Sequence, residues 1–301
     1  SYTGNSAQPI VKKYKYTTGY NSIISSGDVF SKPNFSFSDQ VIFVDPANTT
    51  GGRYSAVLLR IRSISNIQQV SHSGSYVGYK NVIEETVNPD ETGYTEYQFS
   101  HKRDFLSTAF PYPPSESQEL DRGQLTEESH YRKSGNDFVL TQRRALTYHK
   151  QHDFTNDTTH TVALKWGNNH IGDVAPGAQV FRPYLVLAGW SNITSETVTN
   201  YASNDSTEKI TRYYYDNPDH LLMTRKKVYG SNGDQLLTEY RYPKDYVTPS
   251  TEINALITAN KINVPVETIT SKNGTVISAQ GVAQKESDLL PKQFYTYPNS
   301  T

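Results

Sequence analysis

The histidines are the first candidates for chemistry in this sequence. In the stretch HKQHD, His149, His152 and Asp153 place two imidazoles and a carboxylate close together. A zinc site on a helix usually spaces its two histidines four residues apart, with a glutamate between them. Here the spacing is three, no glutamate intervenes, and the stretch follows a predicted strand. We therefore interpret these residues as exposed loop side chains, and we expect no bound metal or other cofactor.

Acidic residues are the second candidates, because a glycosidase needs two carboxyl groups ~5–10 Å apart in a cleft. The sequence offers Glu84–Glu85, Glu127–Glu128 and Asp121. Adjacent residues of a strand point to opposite faces of the sheet, so neither glutamate pair is expected to act on one substrate. The chain also has no Gly-x-Ser-x-Gly motif, no cysteine and no glycine-rich loop that opens a helix. We therefore predict no catalytic residues and no enzyme activity.

Composition argues against several classes of partner. The chain has 301 residues, and its 29 basic and 30 acidic residues are well mixed, which gives a net charge of −1. This balance leaves no electrostatic footprint for nucleic acid. No stretch approaches the ~18 apolar residues of a transmembrane helix.

Because the chain begins without Met and ends abruptly in YPNST, it is expected to be a piece of a longer protein.

The elements that position these side chains are predicted to be strands. The stretch RYSAVLLRIRSISN alternates through Val57, Leu59 and Ile61, and similar alternation recurs along the chain. The clearest helical signal is VTPSTEINALITANKIN, in which Thr248 would be the cap and Pro249 the first helical residue. One short helix is therefore predicted.

Three stretches share a strand–glycine turn–strand template. They are GQLTEESHYRKSGNDFVLTQRRALTYHK, HLLMTRKKVYGSNGDQLLTEYRYPKD and NVPVETITSKNGTVISAQGVAQKE, with turn glycines Gly135, Gly233 and Gly274. Asn232–Gly233 and Asn273–Gly274 predict type I′ hairpin turns, in which both central residues have positive φ.

The glycine spacing also predicts the domain organisation. The last two turn glycines are 274 − 233 = 41 residues apart, whereas the gap before them is 233 − 135 = 98 residues. The longer gap predicts an insertion at about 151–205, which contains Trp166 and Trp190. We predict an N-terminal β region at 1–110 and a hairpin region at 111–301 that carries this insertion.

Tyrosine pairs of the form Tyr-x-Tyr recur along the 23 tyrosines of the chain, at 14/16, 213/215, 240/242 and 295/297. A period of two puts both rings on one face of a sheet, where they can contact the neighbouring hairpin. We expect most of Tyr213, Tyr215, Tyr240 and Tyr242 to be well over half buried. Asp216, in YYDNP, is expected to set the turn before the proline by bonding its own backbone.

The order of these motifs resembles that of the divergent YD-repeat (RHS-like) proteins of Bacteroidota. The resemblance rests on RYYYDNPDHLLMTRKKVYGSNGDQLLTEYRYP, ANKINVPVETITSKNGTVISA and FPYPPSESQELDRGQLTEESHYRKSGN, and covers roughly residues 54–298. It implies an all-β fold, an open curved antiparallel sheet of side-by-side hairpins with one short helix. It also implies a protein that is secreted or attached to the cell surface at the outer membrane, exported in many relatives by type IX secretion.

One departure limits what the resemblance implies. Relatives that form a closed shell have a self-cleaving Asp-Pro-x-Gly type motif, whereas Asp45–Pro46 is the single Asp-Pro of this chain and Ala-Asn follows it. Self-cleavage is therefore not expected.

The predicted function is a non-enzymatic structural or binding role in such a protein. The expected partners are proteins, other segments of the same long chain, or a glycan. Two alternatives stay open. One is a carbohydrate-binding or carbohydrate-active module, which an exposed Trp166 or Trp190 in a cleft would favour. The other is a shell segment that carries a C-terminal effector.

Overall fold

The computed structural model describes residues 11–44, 53–65, 76–87, 92–106, 112–151, 158–166, 179–187, 189–203, 205–284 and 291–297. These residues form eighteen strands and one α-helix. The strands are β1 Val11–Lys15, β2 Gly27–Val29, β3 Ser36–Val44, β4 Arg53–Ile61, β5 Val77–Tyr79, β6 Asn81–Val87, β7 Thr92–Phe99, β8 Leu125–Ser134, β9 Asp137–Gln151, β10 Thr158–Trp166, β11 Gln179–Leu187, β12 Trp190–Tyr201, β13 Ser206–Tyr214, β14 Arg225–Tyr229, β15 Gln235–Arg241, β16 Glu267–Lys272, β17 Thr275–Gln284 and β18 Pro291–Tyr297. The helix, α1, is Thr251–Thr258.

Twelve strands form one large sheet in the order β1-β6-β7-β8-β9-β12-β13-β14-β15-β16-β17-β18. Every pairing in it is antiparallel, so hairpins lie side by side. The sheet does not close, and β1 and β18 are its two edges. This confirms the predicted all-β class, with an open antiparallel sheet and one short helix.

Three smaller sheets contain the remaining strands, as the pairs β2–β5, β3–β4 and β10–β11. The β10–β11 pair falls within the predicted insertion at 151–205, whereas β12, inside the same bounds, belongs to the large sheet. The large sheet also crosses the predicted division at 110/111, because β7 pairs with β8. Strands from both predicted regions therefore share one sheet.

The two ends of the large sheet differ. At one end, the turn end, short connections join paired strand termini: Ser134 pairs with Asp137, Tyr229 with Gln235, and Lys272 with Thr275. At the other end, the loop end, long connections leave the sheet, including residues 100–124, 215–224 and 242–266. The polar clusters described below lie on these long connections.

The predicted turn glycines have the expected backbone conformation. Gly233 and Gly274 have φ values of +84° and +85°. Asn273 is also at positive φ, +49°, as a type I′ turn requires. The type I′ prediction is wrong for the other turn, because Asn232 is not among the residues with positive φ. There Gly233 N donates to Gly230 O and Gly230 N donates to Asp234 O, so a longer loop with one left-handed glycine joins the strands.

The predicted helix is present, but it begins later than expected. Its N-cap is Ser250, whose hydroxyl accepts a hydrogen bond from Ile253 N, so Thr248 is not the cap. Pro249 precedes the cap instead of occupying the first helical position. Serine is among the strongest N-cap residues, which explains why it takes this position two residues after the threonine. The helix has eight residues, and no helix in the described part of the chain is long and apolar enough to cross a membrane.

The apolar core is thin. Among the described residues the buried apolar side chains are Phe30, Ile83, Leu146, Tyr242, Leu256, Val266 and Ala279. Most other side chains of the large sheet are partly buried, as expected for a single layer with two partly solvated faces. Tyrosine suits such a layer, because it buries an apolar ring while its hydroxyl stays hydrogen-bonded.

Candidate functional site

The paired glutamates of the sequence are separated by the sheet. Glu84 accepts a hydrogen bond from Lys12 Nζ at 2.6 Å, whereas Glu85 accepts one from the Tyr20 hydroxyl at 2.7 Å. Lys12 holds the pKa of Glu84 below its ordinary value, and Tyr20 does the same for Glu85. The structure therefore gives the two carboxylates different partners.

Glu127, Glu128 and Asp121 are also engaged separately. Glu127 pairs with Arg143, and Glu128 lies 3.3 Å from Arg144 Nη1. Asp121 accepts a hydrogen bond from Lys102 Nζ at 2.6 Å. Each of these carboxylates is occupied by an arginine or lysine partner, which favours a structural role over acid–base chemistry.

Of the histidine candidates, His149 is described, whereas His152 and Asp153 lie outside the described residues. The His149 ring packs edge-on against Trp190, with centroids 6.1 Å apart. Trp190 is partly buried, and its ring also lies 5.4 Å from Tyr215. It therefore packs inside the sheet layer, and the Trp166 side chain is outside the described residues. Among the residues described, no group of three His, Cys, Asp or Glu side chains is arranged to hold a metal.

Three tyrosines of the predicted pairs donate hydrogen bonds through their hydroxyl groups to other segments of the chain. Tyr213 donates to Glu196 Oε2 at 2.9 Å, Tyr215 to Ile193 O at 3.0 Å, and Tyr242 to Met223 O at 3.0 Å. Tyr242 is buried and Tyr213, Tyr215 and Tyr240 are partly buried, which confirms the burial predicted for them. Stacked rings are found in a different part of the sheet, where the Tyr94 ring stacks on the rings of both Tyr20 and Tyr131.

A row of paired side chains crosses five adjacent strands. It consists of Glu128 on β8, Arg144 on β9, Glu196 on β12, Tyr213 on β13 and Lys226 on β14. Arg144 Nε donates to Glu196 Oε1 at 2.6 Å, and Lys226 Nζ lies 5.9 Å from the centre of the Tyr213 ring. Burial and the hydrogen bond to Glu196 raise the pKa of Tyr213 to about 12. This row joins one hairpin to the next through side chains as well as backbone.

The first polar cluster is formed by Asp28, His101, Arg103, Asp104 and Arg122, and is called the N-terminal cluster below. Asp28, on β2, receives two-pronged hydrogen bonds from Arg103, and His101 Nε2 lies 2.9 Å from its Oδ2. Arg103 lowers the pKa of Asp28 to about 2, against the opposing effect of burial. Burial lowers the pKa of His101. These contacts fix the connection after β7 onto β2.

Arg122 and Asp104 form the most deeply buried ion pair in the described residues. Both side chains are 0 % exposed, and Arg122 Nη1 donates to Asp104 Oδ1 at 2.5 Å. The Arg122 guanidinium also lies 4.3 Å from the centre of the Phe30 ring. Asp104 Oδ2 and Arg122 Nε are buried without a hydrogen-bond partner among the described residues. The pair holds residues 103–105 against residues 121–123.

The second polar cluster surrounds one carboxylate, Asp245, and is called the Asp245 cluster. Its Oδ atoms accept hydrogen bonds from Tyr242 N at 2.7 Å, Asn217 Nδ2 at 2.7 Å and His220 Nε2 at 3.0 Å. Leu222 N donates to His220 Nδ1, so the proton of a neutral imidazole sits on Nε2, facing Asp245. Burial opposes ionisation of Asp245, but the three donors outweigh it and hold its pKa below the ordinary value.

Asp216 bridges the same loop instead of bonding its own backbone ahead of the proline. Its carboxylate accepts from both Arg225 nitrogens at 2.8 Å and from the Thr224 hydroxyl. The predicted turn role belongs to Asn217, whose Oδ1 accepts from Asp219 N at 2.9 Å. The YDNP and YPKD motifs of the sequence therefore contact each other, through Asn217 and Asp245, and together they close this loop.

An apolar groove opens beside the N-terminal cluster. It has a volume of 270 Å³, and Val77, Tyr79, Val82, Phe99 and His101 line it. Phe30 forms its floor and packs directly on Gly78, where a Cβ atom would lie 2.0 Å from Phe30 Cζ. Sequence patterns gave no sign of this groove or of the N-terminal cluster, because the contributing residues are up to about a hundred positions apart and share no motif.

Comparison with known proteins finds no match among family models, curated proteins or solved structures. The YD-repeat resemblance therefore rests on the sequence motifs quoted above.

Proposed function

We propose that this chain is a non-enzymatic structural or binding part of a secreted or cell-surface protein of the YD-repeat (RHS-like) kind. The observation that carries the proposal is the open sheet, in which hairpins are joined edge to edge and, among the described residues, the outer strands β1 and β18 each pair on one side only. Such an architecture can be lengthened hairpin by hairpin, which suits a scaffold. Its partners, in this proposal, are proteins or further segments of the same long chain.

The use of the polar side chains supports the proposal. In both clusters the ionisable groups are directed at one another and at loop backbone, and together they fasten loops to the sheet. Asp216, Arg225 and Asp245 also line an open pocket of 340 Å³, but each of them is already hydrogen-bonded to its neighbours, whereas a catalytic centre leaves such groups available to a substrate. The partly buried Trp190 gives no support to a carbohydrate-binding surface.

The proposal is tested by assaying purified protein against glycoside, peptide and ester substrates, with metal analysis of the same sample. We expect no turnover and no stoichiometric metal. Asp216→Asn and Glu127→Gln are assayed in parallel, since they neutralise two of the candidate carboxylates with little change in side-chain size. Turnover that either substitution abolishes, in a variant that unfolds at the wild-type temperature, would show that the chain is an enzyme.

A further inference from the structure

The groove beside the N-terminal cluster has the size of a site for one side chain. Pockets that hold small-molecule ligands usually have volumes of ~300–1,000 Å³. At 270 Å³ this groove lies just below that range. Its walls are largely aliphatic and aromatic, and Val77 and Tyr79 are exposed at 39 % and 41 %. A pocket of this kind fits an apolar anchor residue of a protein partner.

The cationic side chains next to the groove are more exposed than the carboxylate that they contact. Lys80 and Arg103 lie on the His101 side, and their side chains are 53 % and 55 % exposed. Asp28, which both of them approach, is 16 % exposed and lies beneath them. Arg103 and Lys80 both contact Asp28, so two cations share one carboxylate and more than half of each cationic side chain is exposed. An approaching partner meets an apolar groove with one net positive charge on its His101 side.

We propose that this groove binds an extended peptide segment of a partner protein, which inserts one aromatic or large aliphatic side chain and has a carboxylate next to it. The anchor fills the space above Phe30, between Val77 and Phe99. The carboxylate lies against Lys80 and Arg103. This site is independent of the scaffold role proposed above, because it uses neither the sheet edges nor the hairpin repeats.

The test is an NMR titration of the intact chain with the peptide acetyl-Asp-Glu-Phe-Glu-Asp-amide. We expect chemical-shift changes concentrated at Val77, Gly78, Tyr79 and Val82, and an affinity that falls as salt is added. Two matched peptides separate the contributions. Replacing Phe by Ala removes the anchor, and replacing the four acids by Lys reverses the charge. Both are expected to bind more weakly, and the alanine peptide by at least about tenfold, the loss that corresponds to one well-buried side chain.

Variants of the chain locate the site. Val77→Asp is expected to abolish binding, because it places a charge in the wall of the groove. Lys80→Gln leaves the wall intact and is expected to weaken binding about two- to five-fold, as the loss of one exposed ion pair does. Val139→Asp and Lys133→Gln, on the exposed β8–β9 hairpin at the turn end, are the matched controls and should bind like wild type.

Other results would overturn the proposal. Absence of binding, equal binding of the lysine or alanine peptide, or shifts away from the groove would each show that this chemistry is not what the site recognises. Shifts at the groove that grow with protein concentration in the absence of peptide, together with dimers in sedimentation, would show that a second copy of the chain occupies it.

Discussion

The N-terminal cluster and the Asp245 cluster hold loops in place at the same end of the large sheet by different physical means. The first contains a charge pair that is fully removed from water, Arg122 with Asp104. The second surrounds a partly exposed carboxylate with donors from a backbone amide, a side-chain amide and a neutral imidazole. A buried ion pair contributes little net stability but is costly to break, whereas neutral donors contribute modestly and independently. The two loops should therefore differ in how they respond to single substitutions.

The largest effect is expected for Arg122→Met. The substitution leaves Asp104 buried without its counter-charge, so the free energy of unfolding should fall by about 3–5 kcal/mol in urea denaturation. Lys102→Met, which removes an exposed cation from the same loop, should cost about 0–1 kcal/mol. The double variant Asp104→Leu with Arg122→Met should regain much of the loss. If the double variant is less stable than Arg122→Met, the desolvation argument is wrong.

A smaller loss is expected for Asp245→Asn. The amide cannot accept all three hydrogen bonds, so one donor is left unpaired and unfolding should become easier by about 1–3 kcal/mol. Asp219→Asn, in the same loop and exposed, should change stability by less than about 0.5 kcal/mol. Equal effects of the two substitutions would show that the hydrogen-bonded carboxylate of Asp245 stabilises the protein no more than the exposed carboxylate of Asp219.

The turn end offers a third comparison with the loop end. Gly274→Val and Gly233→Val each force a β-branched residue to positive φ and should destabilise the protein by about 1–2 kcal/mol. Gly19→Val is the control, because Gly19 is not at positive φ and has open space around its Cβ position. Thermal unfolding of the three variants measures the difference. If both turn variants unfold at the wild-type temperature, the predicted repeat of strand–glycine turn–strand units is wrong.

The last comparison is made in acid. Asp28 has its pKa lowered from 3.8 to about 2 by Arg103, so its contribution to stability is complete above pH 3.8 and is lost as the pH falls towards 2. The stability difference between wild type and Asp28→Asn should therefore be constant near neutral pH and should shrink across that interval. A difference that persists unchanged at pH 2 would show that packing, and not charge, gives Asp28 its role.

Much of the fold follows from local patterns. Alternating residues and turn glycines predicted the β class, the hairpins at Gly233 and Gly274, and the single helix near Ile253. The errors lie at boundaries. Ser250 is the helix cap in place of Thr248, and the loop around Asn232 is longer than a two-residue turn. In both places several adjacent residues can satisfy the same backbone groups, and the choice depends on contacts that the sequence does not display.

The polar clusters could not be predicted in the same way. Asp28 and Arg103 are brought together by the pairing of β2 with β5, across a connection that contains the whole β3–β4 hairpin. Asn217, His220 and Asp245 belong to motifs that were recognised, but their mutual contact depends on the register between β13, β14 and β15. Long-range polar contacts follow from topology, which periodicity alone does not fix.

The order of the strands has a consequence for how the molecule folds. From β13 to β18 each strand pairs with its neighbours in sequence, so this half joins consecutive strands only and can begin to fold at any of its hairpins. In the other half β1 must find β6 across four intervening strands, and β9 must find β12 across another hairpin. These pairings lose more chain entropy before any contact forms. The C-terminal half should therefore acquire protected amides first in pulsed hydrogen exchange, and the N-terminal edge should form last.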